Sequence, residues 1–327
     1  MIEQALAELK ARRLVSATSR KIDLKHLLSA ERAARGSFYA TSVGFVAINP
    51  RGHRIARAHN GFPLGVTETR ERWSKSQKDF YHLHGECAGI FHAASKGYAC
   101  EGATAYVTHP PCPGCMRALS AAGFVRVVFA EQSLIERLDW RDDMLKSFDI
   151  AARHNLKIMI YHDRERSLKD SDITRTELEL KKIYDALLPQ ARWSSNDKSE
   201  ISPATKPESP QWLEHPAIAA LLACAKKGVA LEGCGIILGM RPECRTATAI
   251  IQARMSHVVI VPAANVDPRW TQPLELERAE ALLIEDARIR IDMASSPAVD
   301  ARTLFHPALA TAYLDTREAG IKMVSSK

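Results

Sequence analysis

The sequence predicts an α/β protein of three layers, α/β/α, built on a mixed sheet and followed by a truncated second copy of the same core. Three observations carry this expectation. Strand-like apolar runs alternate with helical segments between residues 42 and 162. His84 and Cys112 each stand at the start of one of those helices. Beyond them, the pattern that begins at His84 recurs without a gap at an offset of 131 residues.

Residues 3–34 read as helix, with Leu6, Leu14, Leu24, Leu27 and Leu28 as apolar positions and no proline. Ser42–Asn49 reads as a strand, residues 50–53 (PRGH) as a turn, and Arg54–Ala58 as the returning hairpin strand. A polar stretch from Asn60 to Lys78 is an elaborated loop. A helix from His84 to Lys96 ends at Gly97, where a left-handed C-terminal cap favours glycine. Then come a strand at Thr104–Thr108, a helix at Cys112–Ala122 opened by prolines, and a strand at Val125–Ala130. A mostly helical segment (residues 133–155) and a strand (157–162) complete the alternation, and a further helix is expected over 174–188.

Residues 190–211 are rich in Ser, Pro, Lys and Glu and read as a linker or mobile loop. The expected organisation is therefore a first domain over 1–189, the linker, and a second domain over 212–327. At the 131-residue offset His84 meets His215, Lys96-Gly97 meets Lys227-Gly228, and Glu101-Gly102 meets Glu232-Gly233. Pro111 meets Pro242, and Val127-Val128 meets Val258-Val259. Chemistry-bearing positions differ: Glu86 meets Ala217, Cys112 meets Glu243, and Cys115 meets Thr246. Cys244 lies one residue off the matching position, and no first hairpin is evident for the second copy. The C-terminal half thus reads as a degenerate, chemically silent unit.

Composition bounds the rest. The chain has 327 residues, 46% hydrophobic and 25% charged, as in ordinary globular proteins. No run approaches the roughly 18 apolar residues that span a bilayer, and residues 1–20 read as an amphipathic helix rather than a signal peptide. Seven irregularly spaced cysteines argue for metal binding in a reducing cytoplasm, not for a disulfide framework. A net charge of +7 suits anionic substrates and also tolerates nucleic acid.

The candidate site lies in His84-Gly85-Glu86 and, after 24 intervening residues, Pro111-Cys112-Pro113-Gly114-Cys115. One imidazole and two thiolates make a three-ligand zinc site whose fourth position stays open to water, the arrangement of a catalytic centre and not of a closed structural one. Helix starts favour the thiolate that zinc needs. Glu86 is left over to move protons. His-x-Glu with Pro-Cys-x-x-Cys is the signature of zinc-dependent nucleobase deaminases, in which the metal activates water for attack on an amine-bearing ring carbon.

The stretch from Arg35 to about Ala130 resembles the deoxycytidylate deaminase family of the cytidine deaminase-like superfamily. The resemblance rests on Thr41-Ser42-Val43-Gly44, Asn60-Gly61-Phe62-Pro63-Leu64-Gly65-Val66, the His84 segment, and Thr108-His109-Pro110-Pro111-Cys112-Pro113-Gly114-Cys115. It implies a cytidine deaminase-like fold, Zn2+ as cofactor, and hydrolytic deamination of a cytosine nucleotide, dCMP to dUMP foremost. It also implies substrate contacts from Asn60 to the sugar, from the Gly85 backbone to the base, and from Thr41. The chain departs from the family at Gly85, where alanine is usual, at Ala88, where asparagine is usual, and at residues 36–40, where a Lys- and Asp-bearing segment is usual. Arg35, Arg70 and Arg72 are the cations on offer to a phosphate. A deaminase of tRNA or single-stranded DNA, and a silent zinc-binding regulatory protein, are the alternatives. The expected partners are a small nucleotide and a second copy of the fold, as a homo-oligomer or as an intramolecular pseudo-dimer; no membrane is expected.

Overall fold

In the computed structural model the described residues are 15–18, 20–74, 77–130, 133, 141–161, 216–238, 241–260, 273–293 and 322–325. The expected helix over 174–188, the linker at 190–211 and His215 lie outside them.

The N-terminal unit is a six-stranded sheet. Its strands are β1 (Val15–Thr18), β2 (Gly44–Ile48), β3 (Arg54–His59), β4 (Thr104–Val107), β5 (Arg126–Ala130) and β6 (Lys157–Tyr161). They lie in the order β1-β6-β5-β4-β2-β3. The β2–β3 hairpin and the β2–β4 pair are antiparallel, and β4, β5, β6 and β1 run parallel. This is the mixed sheet that the alternation predicts. Period-two burial follows from the pleat: Phe45 and Ala47 face one core, while Val46 and Ile48 face the other.

One face is covered by α1 (Lys21–Ala34), whose Leu27 and Ala30 join Val46, Tyr106, Val128 and Tyr161. Helix and sheet approach closely at Gly44, where a Cβ would stand 1.9 Å from the Ala30 carbonyl oxygen. The expected helix over 3–34 is corrected in its middle. Val15–Thr18 is an edge strand parallel to β6, and helix begins only at Lys21. The β-branched Val15 and Thr18 suit the strand, and the Thr18 hydroxyl donates to Asp23 at 2.7 Å, tying strand to helix.

The opposite face carries α3 (Gly85–Ser95), α4 (Pro113–Ala121) and α5 (Arg141–Arg153), while the short α2 (Lys78–Tyr81) before them packs against residues 244–252 and 273–281. Gly97 ends α3 at φ +70°, as a left-handed cap requires. Beyond these helices lies a second sheet of β7 (Cys234–Leu238), β8 (His257–Ile260), β9 (Arg290–Met293) and β10 (Lys322–Ser325), in the order β10-β7-β8-β9. Its helices are α6 (Pro216–Lys227), α7 (Cys244–Gln252) and α8 (Pro273–Ala281), the last running into a π-helical turn at Leu282–Asp286. The helices of both units pack together, and one apolar cluster runs from Phe45 and Ile90 through Leu221 and Leu222 to Ile236 and Val258. Among the described residues no helix is long and apolar enough to cross a membrane.

Candidate metal centre

The two signature segments meet at the N-terminal ends of adjacent helices. His84 is the N-cap of α3, and Cys112 is the N-cap of α4, with Pro113 pre-set for the first helical position. Cys115 follows within the first turn of α4. The Ser147 hydroxyl of α5 donates to the Pro111 carbonyl at 2.7 Å and pins the approach to the cysteines.

His84 Nδ1 lies 3.5 Å from Cys112 Sγ and 3.4 Å from Cys115 Sγ. All three ligand atoms fall within 4.8 Å of one another. Tetrahedral zinc with Zn–S near 2.3 Å and Zn–N near 2.0 Å requires N···S separations of about 3.5 Å, so the residues fit the ion. Burial opposes charge on His84, but the Cys112 thiolate beside it raises its pKa to about 9. Cys112 lies well below the usual thiol range because Cys115 hydrogen-bonds to it, with His84 adding to that pull against the cost of burial. The Cys115 thiol is pushed the other way, up, by its hydrogen bonds with Cys112 and Cys87 and by burial. Among the described residues this is the one three-ligand group of its kind.

Glu86 sits in the first turn of α3 and is only 3% exposed. Burial pushes its carboxyl up to about 6, with the charge on His84 pulling the other way. A carboxylate that titrates near neutrality can both take and return a proton.

The residues expected to touch substrate surround this centre in different ways. Asn60 is buried, and both ends of its amide are used: Oδ1 accepts the Val43 N–H at 2.8 Å, and Nδ2 donates to the Thr41 carbonyl at 2.9 Å. It holds the Thr41–Val43 backbone beside the zinc helix. Gly85 abuts the same backbone, where a Cβ would stand 3.1 Å from the Val43 oxygen and 3.2 Å from the Asn60 nitrogen. The glycine in place of the family's usual alanine fits this tight approach. Arg72 is not a cation on offer: its Nη1 and Nη2 each donate to the Asp286 carboxylate at 2.8 Å.

An aromatic wall escaped the motif reading. Phe62 stacks on Trp73 with ring centroids 4.5 Å apart, Tyr39 lies 5.0 Å from His82, and His82 lies 5.2 Å from His84. Lys78 hydrogen-bonds to the Tyr39 hydroxyl and places its ammonium over the Tyr39 ring. The available signal was the run of aromatic and histidine residues between Phe62 and His84, all in segments with no apolar periodicity.

Comparison with known proteins agrees with the geometry. Residues 20–131 match the family described as the cytidine and deoxycytidylate deaminase zinc-binding region. Deoxycytidylate deaminase of Enterobacteria phage T4 is 30% identical over 124 residues, covering 34% of this chain and 61% of the phage protein. Its counterpart from phage T2 is 36% identical over 124 residues, covering 34% of this chain and 63% of that protein. The chain therefore spans about three fifths of the length of these relatives. Among solved structures, apo dCMP deaminase from cyanophage S-TIM5 aligns over 44% of this chain and 99% of its own, with 19% identity and a TM-score of 0.35.

Proposed function

We propose that the chain, whose residues 20–131 match the cytidine and deoxycytidylate deaminase zinc-binding region, is a deaminase of that family and hydrolytically deaminates a cytosine nucleotide, converting dCMP to dUMP. One observation carries this reading: a buried Glu86 in the first turn of the helix that His84 caps, where His84, Cys112 and Cys115 form a cluster sized for zinc. The deoxycytidylate specificity draws on the phage relatives, which are deoxycytidylate deaminases.

His84, Cys112 and Cys115 would hold zinc, which would supply an acidified water for the reaction. Glu86 would take a proton from the attacking water and deliver it to N3 of the pyrimidine as the water oxygen bonds to C4. It would then carry the remaining proton of the new C4 hydroxyl to the C4 amine, so that the C–N bond breaks and ammonia leaves as the C4 carbonyl forms. In this reading the Gly85 backbone contacts the base, Asn60 contacts the sugar, and Thr41 completes the substrate contacts. The aromatic wall of Tyr39, Phe62 and Trp73 closes the side of the site nearest His82.

The test is ammonia release from a panel of cytidine, deoxycytidine, their mono- and triphosphates, and tRNA and single-stranded DNA oligonucleotides. Turnover of dCMP above the rest is expected. Turnover of polynucleotide alone would replace the nucleotide reading with a nucleic-acid one. No release from any member, with zinc bound at one per chain, would leave a silent zinc protein.

A further inference from the structure

The two units meet through contacts that come in pairs. The Cys100 N–H donates to the Ala225 carbonyl at 2.9 Å, and the Leu231 N–H donates to the Ala94 carbonyl at 3.0 Å. The Glu101 N–H donates to Lys226 at 3.3 Å, and the Glu232 N–H donates to Ser95 at 3.2 Å. In each pair, donor and acceptor of one bond are those of the other displaced by the 131-residue offset seen in the sequence. Gly97 (φ +70°) abuts Ala230, and Gly228 (φ +72°) abuts Ala99. Residue i on j, repaid by j on i, is the mark of a two-fold axis.

The interiors correspond as well. Helix α7 begins and ends at the offset from α4, and the Gly102-to-Gly123 bond of 2.8 Å is matched by Gly233-to-Arg254 at 2.9 Å. Past the π-helical turn the correspondence continues with a wider offset: Val127 pairs with Ile158 in the first sheet, and Val258 with Ile291 in the second. β10 lies antiparallel beside β7 as β2 lies beside β4, although it comes from the far end of the chain. In place of Cys112, Glu243 caps α7 by accepting the Arg245 and Thr246 amides at 2.5 and 2.9 Å. In place of Cys115, Thr246 donates its hydroxyl to that carboxylate at 2.5 Å. The ion's position has become a helix cap.

We infer that the C-terminal unit is a degenerate copy standing where a partner subunit would stand, and that its Gln252, Asp286 and Arg278 are positioning residues for the segment that walls the active site. This rests on the deaminase reading above. Gln252 donates to the Ala88 carbonyl of α3 at 3.1 Å and accepts the Leu64 N–H at 3.2 Å, clamping the loop to the zinc helix. Asp286 holds Arg72 by two bonds, and the Arg72 guanidinium in turn lies 4.7 Å above the Tyr81 ring. Arg278 sits 4.1 Å above Phe80. These three grips hold the stretch that carries Phe62, Trp73 and His82, while touching no zinc ligand.

The experiment uses the full chain as Gln252→Ala, Asp286→Asn, and the swapped pair Arg72→Asp with Asp286→Arg. Zinc content and KM against kcat are measured on dCMP, with hydrogen exchange over residues 61–74 and 77–81. The single variants are expected to speed exchange in those residues but not in α4, and to raise KM about tenfold while kcat holds within about twofold. The swapped pair is expected to recover most of the loss. Exchange and KM at wild-type levels in both single variants would overturn the inference. If the wild-type chain turns over nothing, the functional reading fails, and the exchange data alone decide whether the grips position the segment.

Discussion

Asp23 of α1 and Arg126 of β5 form a two-pronged ion pair, Nη2 to Oδ2 at 2.7 Å and Nη1 to Oδ1 at 2.9 Å, with the Asp23 side chain fully enclosed. The Tyr106 hydroxyl donates to Oδ1 at 2.8 Å and the Thr18 hydroxyl to Oδ2 at 2.7 Å. Four elements are thereby locked to one carboxylate. Asp23→Asn removes the charge that balances Arg126 and is expected to cost about 3 kcal/mol, measured by urea denaturation at neutral pH.

The same carboxylate gives a pH signature. Burial disfavours its ionisation, but the bonds from Arg126, Thr18 and Tyr106 prevail and bring it from 3.8 to about 2. A folded pKa below the unfolded one adds stability that is complete above the unfolded value and drains away as pH falls toward the folded value. The wild type is thus expected to lose about 2 kcal/mol more than Asp23→Asn between pH 5 and pH 2. Parallel stability curves for the two proteins would refute the assignment.

Glu86→Gln keeps the volume and removes the proton carrier. Turnover is expected to fall about 10²- to 10⁴-fold with zinc still bound at one per chain. Cys115→Ser should instead lose the metal itself, read by metal analysis after dialysis. The two phenotypes separate chemistry from coordination.

Gly89 of α3 faces Phe45 of β2 so closely that a Cβ would lie 2.2 Å from the ring. Gly89→Ala raises helix propensity and overpacks the core, and the second effect prevails because Phe45 is itself fully buried. A net loss of about 1–3 kcal/mol is expected in thermal and urea melts.

The zinc segments, the β2–β3 hairpin and the helix after His84 were legible because each is written locally: ligand spacing, alternation, and a glycine cap. β1 was not, since leucines on either side of Val15–Thr18 extend a helical pattern through a segment that only β6 makes a strand. Arg72 reads as a free cation until Asp286 is brought to it across 214 residues. Asn60 shows the same limit. The loop motif marks it for the sugar, and only the folded chain brings its amide to the Thr41 and Val43 backbone as well. β10 completes the second sheet from the far end of the chain, which no local hairpin signal can announce.

The apolar cluster that passes without a break from the first sheet to the second has a consequence in solution. Separate subunits that shared such a core would fall apart on dilution, and their folding would depend on how many met. Here both sides of the cluster belong to one polypeptide, so the association is intramolecular at any protein concentration. The covering over α3 and α4 is as complete in a single molecule as in a concentrated solution, and unfolding of the whole is expected to follow a midpoint that does not move with concentration.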